Sequence, residues 1–232
     1  MASLNQLIYD IKNIISGGVQ SDDITISDRQ VAFWINQTRA TLIGQLLSDG
    51  KSIPDALIQH LECVELHCVD AAECCEIETC ERVLRSTQKI PESIGRNNRN
   101  TILSVSSPDK TVGFTETNYF RQRTNKHNKY TGKRPRWFIK NNYLYLTNTK
   151  ELEYVSLSGI FEDPTEAALF TTCEGKPCFT WDSEYPITGR IATVTTSMIL
   201  KERVGLMASA PNDETNNANG NIQNGQAGQA QG

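Results

Sequence analysis

The chain lacks the sequence signals of the common catalytic and membrane classes. It has only three histidines, aromatic residues make up 7% of it, and no Gly-x-Ser-x-Gly elbow, glycine-rich phosphate loop or dinucleotide fingerprint occurs. No apolar run approaches the ~20 residues that a transmembrane helix needs. We can name no acid–base pair for catalysis, and we therefore expect no enzyme activity, no cofactor and no membrane contact.

A strong net charge is also missing, since the formal charge is −4 over 232 residues. This value is too small to predict nucleic-acid binding by the whole surface. The N-terminal residues Met-Ala-Ser-Leu-Asn-Gln lack the basic and apolar parts of a secretion signal, so we expect the protein to stay in the cytoplasm where it is made.

Charge of one sign is absent from each of two segments. Residues 62–81, the acidic block, contain no lysine or arginine, and their acids are Glu62, Glu65, Asp70, Glu73, Glu76, Glu78 and Glu81. Residues 121–136, the basic block, contain no acid, and their bases are Arg121, Arg123, Lys126, Lys129, Lys133, Arg134 and Arg136. Because like charges repel within each block, the pattern predicts that the blocks meet each other or that each meets a partner.

The basic block has aromatic neighbours, which are Tyr119, Phe120, Tyr130 and Trp137. Bases mixed with aromatic side chains can bind single strands by stacking, although contact with phosphates or with an acidic protein surface fits the pattern better. Trp137 and Phe138 open a predicted hairpin, so both core and interface roles stay open for them.

The seven cysteines are an odd number, and in a reducing compartment they are expected to be free thiols. Zinc is the alternative, because histidines 60 and 67 lie among the weak ligand candidates Cys63, Cys68, Cys74, Cys75 and Cys80. No Cys-x2-Cys pair supports a site, and Cys173 and Cys178 could complete one only through the fold. We therefore predict no metal.

Helical periodicity occurs near both ends of the chain. Residues 4–15 form one apolar stripe after Ser3 as N-cap, and Gly17-Gly18 ends that helix. A second helix begins at Ser27 with Gln30 completing a capping box, and it ends at Gly50. Its predicted apolar face is Val31, Trp34, Ile35, Thr38, Leu42 and Leu46. A short helix is expected at 54–59, and the last at 187–206 with a stripe of Ile187, Ile191, Val194, Met198 and Glu202.

Strand patterns fill the middle of the chain. Residues 63–69 fit a helix or a strand, and their flanks favour a strand. Short strands are also predicted at 82–84, 102–105, 111–114 and 154–161, and residues 136–147 form the clearest hairpin, with Asn141-Asn142 as its turn. The sequence therefore predicts an α+β fold, with helices at both ends around a β-rich middle of short antiparallel strands and hairpins.

The chain divides into an α+β domain, residues 1–208, and a C-terminal arm, residues 209–232. Asn, Gln and Gly dominate the arm, which has no aromatic residue and no base. Such a segment cannot bury enough apolar surface to fold alone, so we expect it to be disordered unless bound to a partner.

Six short sequence segments stand out along the chain. They are residues 28–40 (DRQVAFWINQTRA), 63–66 (CVEL), 73–75 (ECC), 83–86 (VLRS), 159–164 (GIFEDP) and 182–187 (DSEYPI). In this order, they resemble segments of the neck and tail ring proteins of crAss-like tailed bacteriophages. None is a catalytic motif, so the resemblance depends on their order and extent. It spans residues 4–206 and leaves the arm outside.

The resemblance implies a virion structural protein of the portal–neck–tail region. Such a protein forms a ring, expected to be twelvefold, which joins the capsid portal to the tail. DNA passes through its lumen without sequence-specific contact, and its partners are further copies, the portal or other ring proteins. The resemblance implies no enzyme activity and no cofactor. A nucleic-acid-binding or zinc-stabilised phage accessory protein is the alternative.

A ring of identical subunits uses head-to-tail contacts, so each subunit needs two different, complementary patches. The acidic and basic blocks suit that need. The residues that we expect at such an interface are Glu62, Glu65, Asp70, Glu73, Glu76, Arg121, Arg123, Lys126, Lys129, Arg134, Arg136 and Trp137.

Overall fold

The computed structural model describes residues 2–17, 26–70, 82–95, 101–118, 121, 134–149 and 152–205. The helices in these ranges are α1 (Leu4–Ile15), α2 (Asp28–Ser48) and α3 (Gly189–Ile199), and α3 continues as a π-helical turn, Leu200–Val204. The arm, residues 209–232, lies outside the described residues.

The predicted caps of the first two helices are confirmed. The Oγ atoms of Ser3 and Ser27 each accept a hydrogen bond of 3.2 Å, from the backbone N–H of Gln6 and of Gln30 respectively. These bonds pair amide groups that have no partner within the helix. Gly17 (φ +65°) and a second glycine at position 50 (φ +74°) follow the helix ends in the left-handed region that glycine adopts without strain.

Three details of the helix predictions are wrong, wholly or in part. The segment 54–59 forms only one 3₁₀ turn, Asp55–Leu57, because Gln59 already belongs to a strand. The apolar face predicted for the second half of α2 is right only in part, because positions 39, 43 and 47 are fully buried whereas Leu42 and Leu46 are partly buried against the same core. The last helix begins at Gly189 after Thr188 as N-cap, and its buried positions are 191, 195 and 199, whereas Val194 is exposed.

Seven strands form one sheet, as their bounds and order show. They are β1 (Gln59–Asp70), β2 (Arg82–Ser86), β3 (Ile102–Ser106), β4 (Thr115–Glu116), β5 (Arg136–Lys140), β6 (Tyr143–Thr147) and β7 (Tyr154–Gly159). The strand order is β3-β7-β1-β2-β6-β5-β4, and only the β4–β5 pair is parallel. Together with the terminal helices, this mostly antiparallel sheet confirms the predicted α+β fold.

The β5–β6 hairpin is confirmed, with Asn141 (φ 53°) and Asn142 (φ 63°) at its turn. Positive φ at both turn residues gives the twist that a two-residue hairpin needs. The predicted strand 111–114 is wrong for its first residues. Thr111 instead donates hydrogen bonds to Asp109 from both its N–H and its hydroxyl, which keeps it in the preceding turn.

The two edges of the sheet are joined by the segment from Gly113 to Glu116. On one side, Gly113 bridges Ser106, and the N–H of Phe114 donates to the carbonyl of Val105 at 2.9 Å. On the other side, β4 pairs with β5. The segment therefore lies between β3 and β5, and the sheet curls into a closed, barrel-like arrangement.

The interior of this barrel is filled. Every strand except the two-residue β4 sends large apolar side chains into one buried cluster that also includes the inner faces of all three helices. The strand members of the cluster are Leu61, Val64, Leu66, Leu84, Ile102, Val105, Trp137, Leu144, Leu146, Val155 and Leu157. Small barrels are packed in this way, so the barrel of one subunit is a core and not a channel.

The barrel has two different ends. At the helix end, where β1 starts and β7 stops, the chain continues into residues 160–188, which pack against α2 through buried Phe161 and Tyr185. At the loop end, β1 stops at Asp70, β2 starts at Arg82 and β5 starts at Arg136. Both charged blocks therefore enter or leave the sheet at the loop end.

Candidate subunit interface

The acidic block begins on the outer surface of the barrel. Along β1, Leu61, Val64 and Leu66 point into the barrel, whereas Val69 packs in a separate cluster with Phe138 and Tyr145. Glu62, Glu65 and Asp70 of the same strand are exposed. A β-bulge between Leu61 and Val64 interrupts the register with β7. We call these three exposed carboxylates the acidic wall. The other predicted interface acids, Glu73 and Glu76, lie outside the described residues, as do Glu78 and Glu81.

The basic block reaches the barrel at the start of β5. Arg134 is exposed, and its carbonyl accepts a hydrogen bond of 2.9 Å from Asn148 Nδ2 at the end of β6. Arg136 is only 9% exposed, and Arg121 is exposed. We call Arg134 and Arg136 the basic wall. The predicted interface bases Arg123, Lys126 and Lys129, together with Lys133, lie outside the described residues.

Trp137 lies in the core of its own subunit, which is one of the two roles that the sequence left open. Its side chain is 3% exposed and belongs to the main buried cluster. Phe138, the next residue, points to the outer face and stacks on Tyr145, with ring centroids 5.2 Å apart. The alternation of a strand therefore separates these two aromatic side chains.

The acidic and basic walls lie on opposite sides of the barrel. In the closed order of strands, β1 and β5 are three steps apart through β2 and β6, and four steps apart through β7, β3 and β4. Two patches so placed can face two different neighbours at once. This is the geometry that a head-to-tail contact between identical subunits requires.

A small aromatic surface lies between the two walls on the outside of β2 and β6. The Arg85 guanidinium lies 4.7 Å above the ring centroid of Tyr143, and its Nη2 donates to His67 Nε2 at 2.9 Å. The ring of His60 also has a partner, the hydroxyl of Ser158 at 2.8 Å. Both histidines are thus engaged in local contacts, and His127 lies outside the described residues.

The expectation of free thiols is wrong for two cysteines. Cys63 and Cys173 form a disulfide with a Cα–Cα distance of 5.3 Å, although 110 residues separate them in sequence. Cys68 and Cys178 are free. No sequence signal predicts this pair, because the bulge that turns Cys63 outward and the hairpin that carries Cys173 arise only in the fold.

The zinc candidates do not come together in the part of the chain that the structure describes. There, no group of three or more His, Cys, Asp or Glu side chains is arranged to hold a metal ion. Cys63 is committed to the disulfide, and Cys68 is exposed on β1. The remaining candidates, Cys74, Cys75 and Cys80, lie outside the described residues.

Sequence reasoning also missed a buried arginine at the helix end. Arg39 of α2 is fully buried, and it donates to the carbonyls of Pro186 (2.6 Å) and Phe161 (2.9 Å). Burial lowers the pKa of Arg39, while Tyr185 and Asp163 act in the opposite direction. The guanidinium therefore joins α2 to both ends of the segment 161–186.

A hydrogen-bonded chain extends this network. The hydroxyl of Tyr185 donates to Asn36 Oδ1 at 2.6 Å, and Asn36 Nδ2 donates to Asp163 Oδ1 at 2.7 Å. Burial raises the pKa of Tyr185 and keeps its hydroxyl protonated. The sequence did not predict this network, because Asn36 and Arg39 are polar residues on a helix face that is otherwise apolar.

Three acids surround the outer side of this network. Burial raises the pKa of Glu162, and the nearby Glu92 carboxylate raises it further. Burial likewise raises the pKa of Glu166, with a further contribution from Asp163. Glu92 and Glu162 also line an open cleft of about 450 Å³. This acidic group lies at the helix end, away from the two walls.

The described helices include none with the length and apolar character that a membrane span requires. No curated protein matches the chain.

The comparison with protein families defines the chain first as a structural protein of a bacteriophage tail ring, and therefore as a component of the virion. More narrowly, the chain belongs to the family described as phage tail ring protein 2, whose model matches residues 6–225. This match confirms the resemblance to ring proteins of crAss-like phages. It also corrects the extent of that resemblance, because the match continues past residue 206 into the arm.

Proposed function

We propose that this protein is the repeating subunit of a ring in the neck of the particle, where it joins the capsid portal to the tail. The observation that carries this proposal is the family match over residues 6–225, together with complementary walls on opposite sides of one barrel. Because the barrel interior is filled with side chains, DNA would pass through an opening enclosed by the subunits together. Twelve copies is the number that we propose.

In the proposed ring, the acidic wall of one subunit faces the basic wall of the next. Charges at the rim of an interface steer association and fix the register more than they add affinity. Glu62 and Glu65 are exposed on one side, and Arg134 is exposed on the other. We assign the predicted interface residues Glu73, Glu76, Arg123, Lys126 and Lys129, which lie outside the described residues, to the same contacts.

Charge reversal tests this arrangement. One variant carries Glu62→Lys and Glu65→Lys, a second carries Arg121→Glu and Arg134→Glu, and a third carries all four. We expect each two-site variant to lose rings at moderate salt and the four-site variant to regain them, because two exposed acids of the acidic wall and two exposed bases of the basic block are then reversed together. Native mass spectrometry and negative-stain images measure the fraction of subunits in rings.

The matched control is Asp10→Lys with Glu202→Lys, which reverses two exposed acids at the helix end. It should assemble like the unmodified protein. If the two-site wall variants assemble with unchanged yield and unchanged salt sensitivity, the pairing of walls is wrong.

We further propose that the C-terminal arm, residues 209–232, contacts a neighbouring subunit or a stacked ring. A segment that orders on binding adds contact area and loses conformational entropy in the same step. Deletion of residues 209–232 should leave the melting temperature of the monomer unchanged and weaken the stacking of rings. Particles of equal stability with and without the arm would contradict this role.

DNA binding by the basic block is the alternative function. If it were the main function, the isolated subunit would bind DNA with an affinity that falls steeply with salt. We expect instead that the ring, and not the isolated subunit, encloses DNA, with little dependence on DNA sequence.

A further inference from the structure

The disulfide joins two parts of the chain that lie far apart in sequence and in contact in the fold. Cys63 is half-buried in the bulge of β1, on the outer surface of the barrel and next to Glu62. Cys173 is exposed in a hairpin, residues 171–178, which follows the barrel and precedes α3. The bond therefore fastens this hairpin to the acidic wall.

The hairpin has its own internal structure. The N–H of Thr172 donates to the carbonyl of Lys176 at 2.6 Å, and Gly175 (φ +81°) occupies the turn. Glu174 and Lys176 form an exposed ion pair with each other at 3.0 Å. Buried Phe170 and Phe179 hold the base of the hairpin. The tip is thus preformed, and the disulfide is the covalent link that holds it against β1.

We propose that Cys63 and Cys173 form a reversible redox clasp, which is open in the reducing host cytoplasm and closed in the released particle. The proposal rests on the proposed function, because the clasp lies on the wall that a neighbouring subunit would face. Closure fixes the hairpin beside Glu62 and so sets the shape of that wall. Opening releases the hairpin while its base stays anchored.

The chemistry balances with a low-molecular-weight disulfide as the oxidant. One cysteine thiolate attacks a sulfur of the oxidant, which forms a mixed disulfide and expels one small thiolate. The second cysteine thiolate then attacks the protein sulfur of that mixed disulfide, which forms the Cys63–Cys173 bond and expels the second small thiolate. The two protein thiols lose two electrons and two protons, and the oxidant becomes two thiols.

The surroundings favour this pair over other pairings. Cys173 is exposed, so small thiols and disulfides can reach the bond. Cys178 lies close to Glu62 and is half-buried. Burial raises the pKa of the Cys178 thiol, so it stays protonated at neutral pH and is a slow attacking group. Cys68 is exposed on another part of β1 and serves as a control.

The test uses the purified full chain and oxidised or reduced glutathione as the probe. After alkylation with N-ethylmaleimide, peptide mapping should show Cys63 and Cys173 linked in the oxidised sample and both alkylated in the reduced one. Cleavage by a Glu-specific endoprotease after Glu174 should rise several-fold on reduction, whereas cleavage after Glu202 should stay constant. In both buffers, Cys173→Ser should be cleaved after Glu174 as fast as the reduced form of the unmodified chain. Cys68→Ser should behave like the unmodified chain.

The clasp is overturned if Cys63 and Cys173 are both alkylated after oxidation, or if cleavage after Glu174 is independent of the redox state. Alkylation inside infected cells and in released particles then tests the timing, with the linked peptide expected only in the particles. Equal amounts of the linked peptide in both samples would contradict opening in the cell. If the protein is absent from particles while Cys63 and Cys173 of the purified chain still form their disulfide on oxidation, the proposed function is wrong and the reversible bond between these cysteines is still supported.

Discussion

The packing of α2 and the outer walls of the barrel are stabilised in different ways. Buried hydrogen bonds of Arg39, Asn36 and Tyr185 join α2 to the segment 161–186, which precedes α3. On the outside of the barrel, Glu62 and Glu65 are exposed on β1 and Arg134 is exposed before β5, whereas Asp70 lies opposite Arg82 of β2. Internal bonds therefore stabilise the packing of α2, and we assign contacts between subunits to the exposed walls.

This contrast predicts that changes in the two regions will have separable effects. A change in the Arg39 network should alter the free energy of unfolding, because Arg39, Asn36 and Tyr185 are buried and hydrogen-bonded within the subunit, although Arg39 Nη2 has no partner. A change on the walls should alter assembly and leave the fold stable, because exposed charges contribute little to folding.

The largest effect on stability is expected for Arg39→Ala. It removes two hydrogen bonds to backbone carbonyls and leaves a cavity, which should lower the free energy of unfolding by about 3 kcal/mol or more. Arg29→Ala, at an exposed position of the same helix, should change it by less than about 0.5 kcal/mol. Urea unfolding measures the free energy of unfolding of both variants. Equal values for Arg39→Ala and Arg29→Ala would show that the Arg39 contacts do not stabilise the fold.

A smaller effect is expected for Tyr185→Phe. The substitution keeps the ring and removes the hydroxyl that donates to Asn36, so a buried acceptor loses its partner at a cost of about 1–2 kcal/mol. Tyr9→Phe, at an exposed position of α1, is the matched control and should leave the melting temperature unchanged. Thermal unfolding at neutral pH compares the two, and a Tyr185→Phe melting temperature equal to that of the control would argue against the network.

The smallest effect, and one of opposite sign, is expected for Glu166→Gln. The pKa of Glu166 is raised in the folded state, so this group favours folding when it is protonated, and that contribution is lost as the pH rises through the folded pKa. The glutamine variant should therefore be slightly more stable than the parent at pH 7, by less than about 0.5 kcal/mol because screening weakens exposed charges.

The pH dependence gives the sharper readout for that variant. The stability difference should shrink as the pH falls toward the ordinary pKa of a glutamate. Glu116→Gln, at an exposed position of β4, is the matched control variant. A difference for Glu166→Gln that grows on acidification would reverse the sign argued here.

Local features of the fold could be predicted from the sequence. Serine caps, a terminating glycine and an Asn-Asn turn act over a few residues, so Ser3, Ser27 and Asn141 identified their elements correctly. These signals need no knowledge of distant parts of the chain.

Apart from local errors in the bounds of a few helices and strands, the features that escaped prediction join distant residues. The Cys63–Cys173 bond, the Arg39 contacts to Phe161 and Pro186, and the closure of the sheet through Gly113 depend on the complete topology. A polar side chain on an inner helix face carries no sign that its partner is a backbone carbonyl more than a hundred residues away. Similarly, the charge blocks indicated contact, but only the strand order showed that their described parts lie on opposite walls.

The most direct test of the central claim is the mass of the particle that the purified full-length chain forms, measured by native mass spectrometry with negative-stain images of the same sample. The account predicts a closed ring with a central opening and a mass of twelve subunits. A single subunit under every condition of salt and concentration, together with absence of the chain from purified virions, would contradict it.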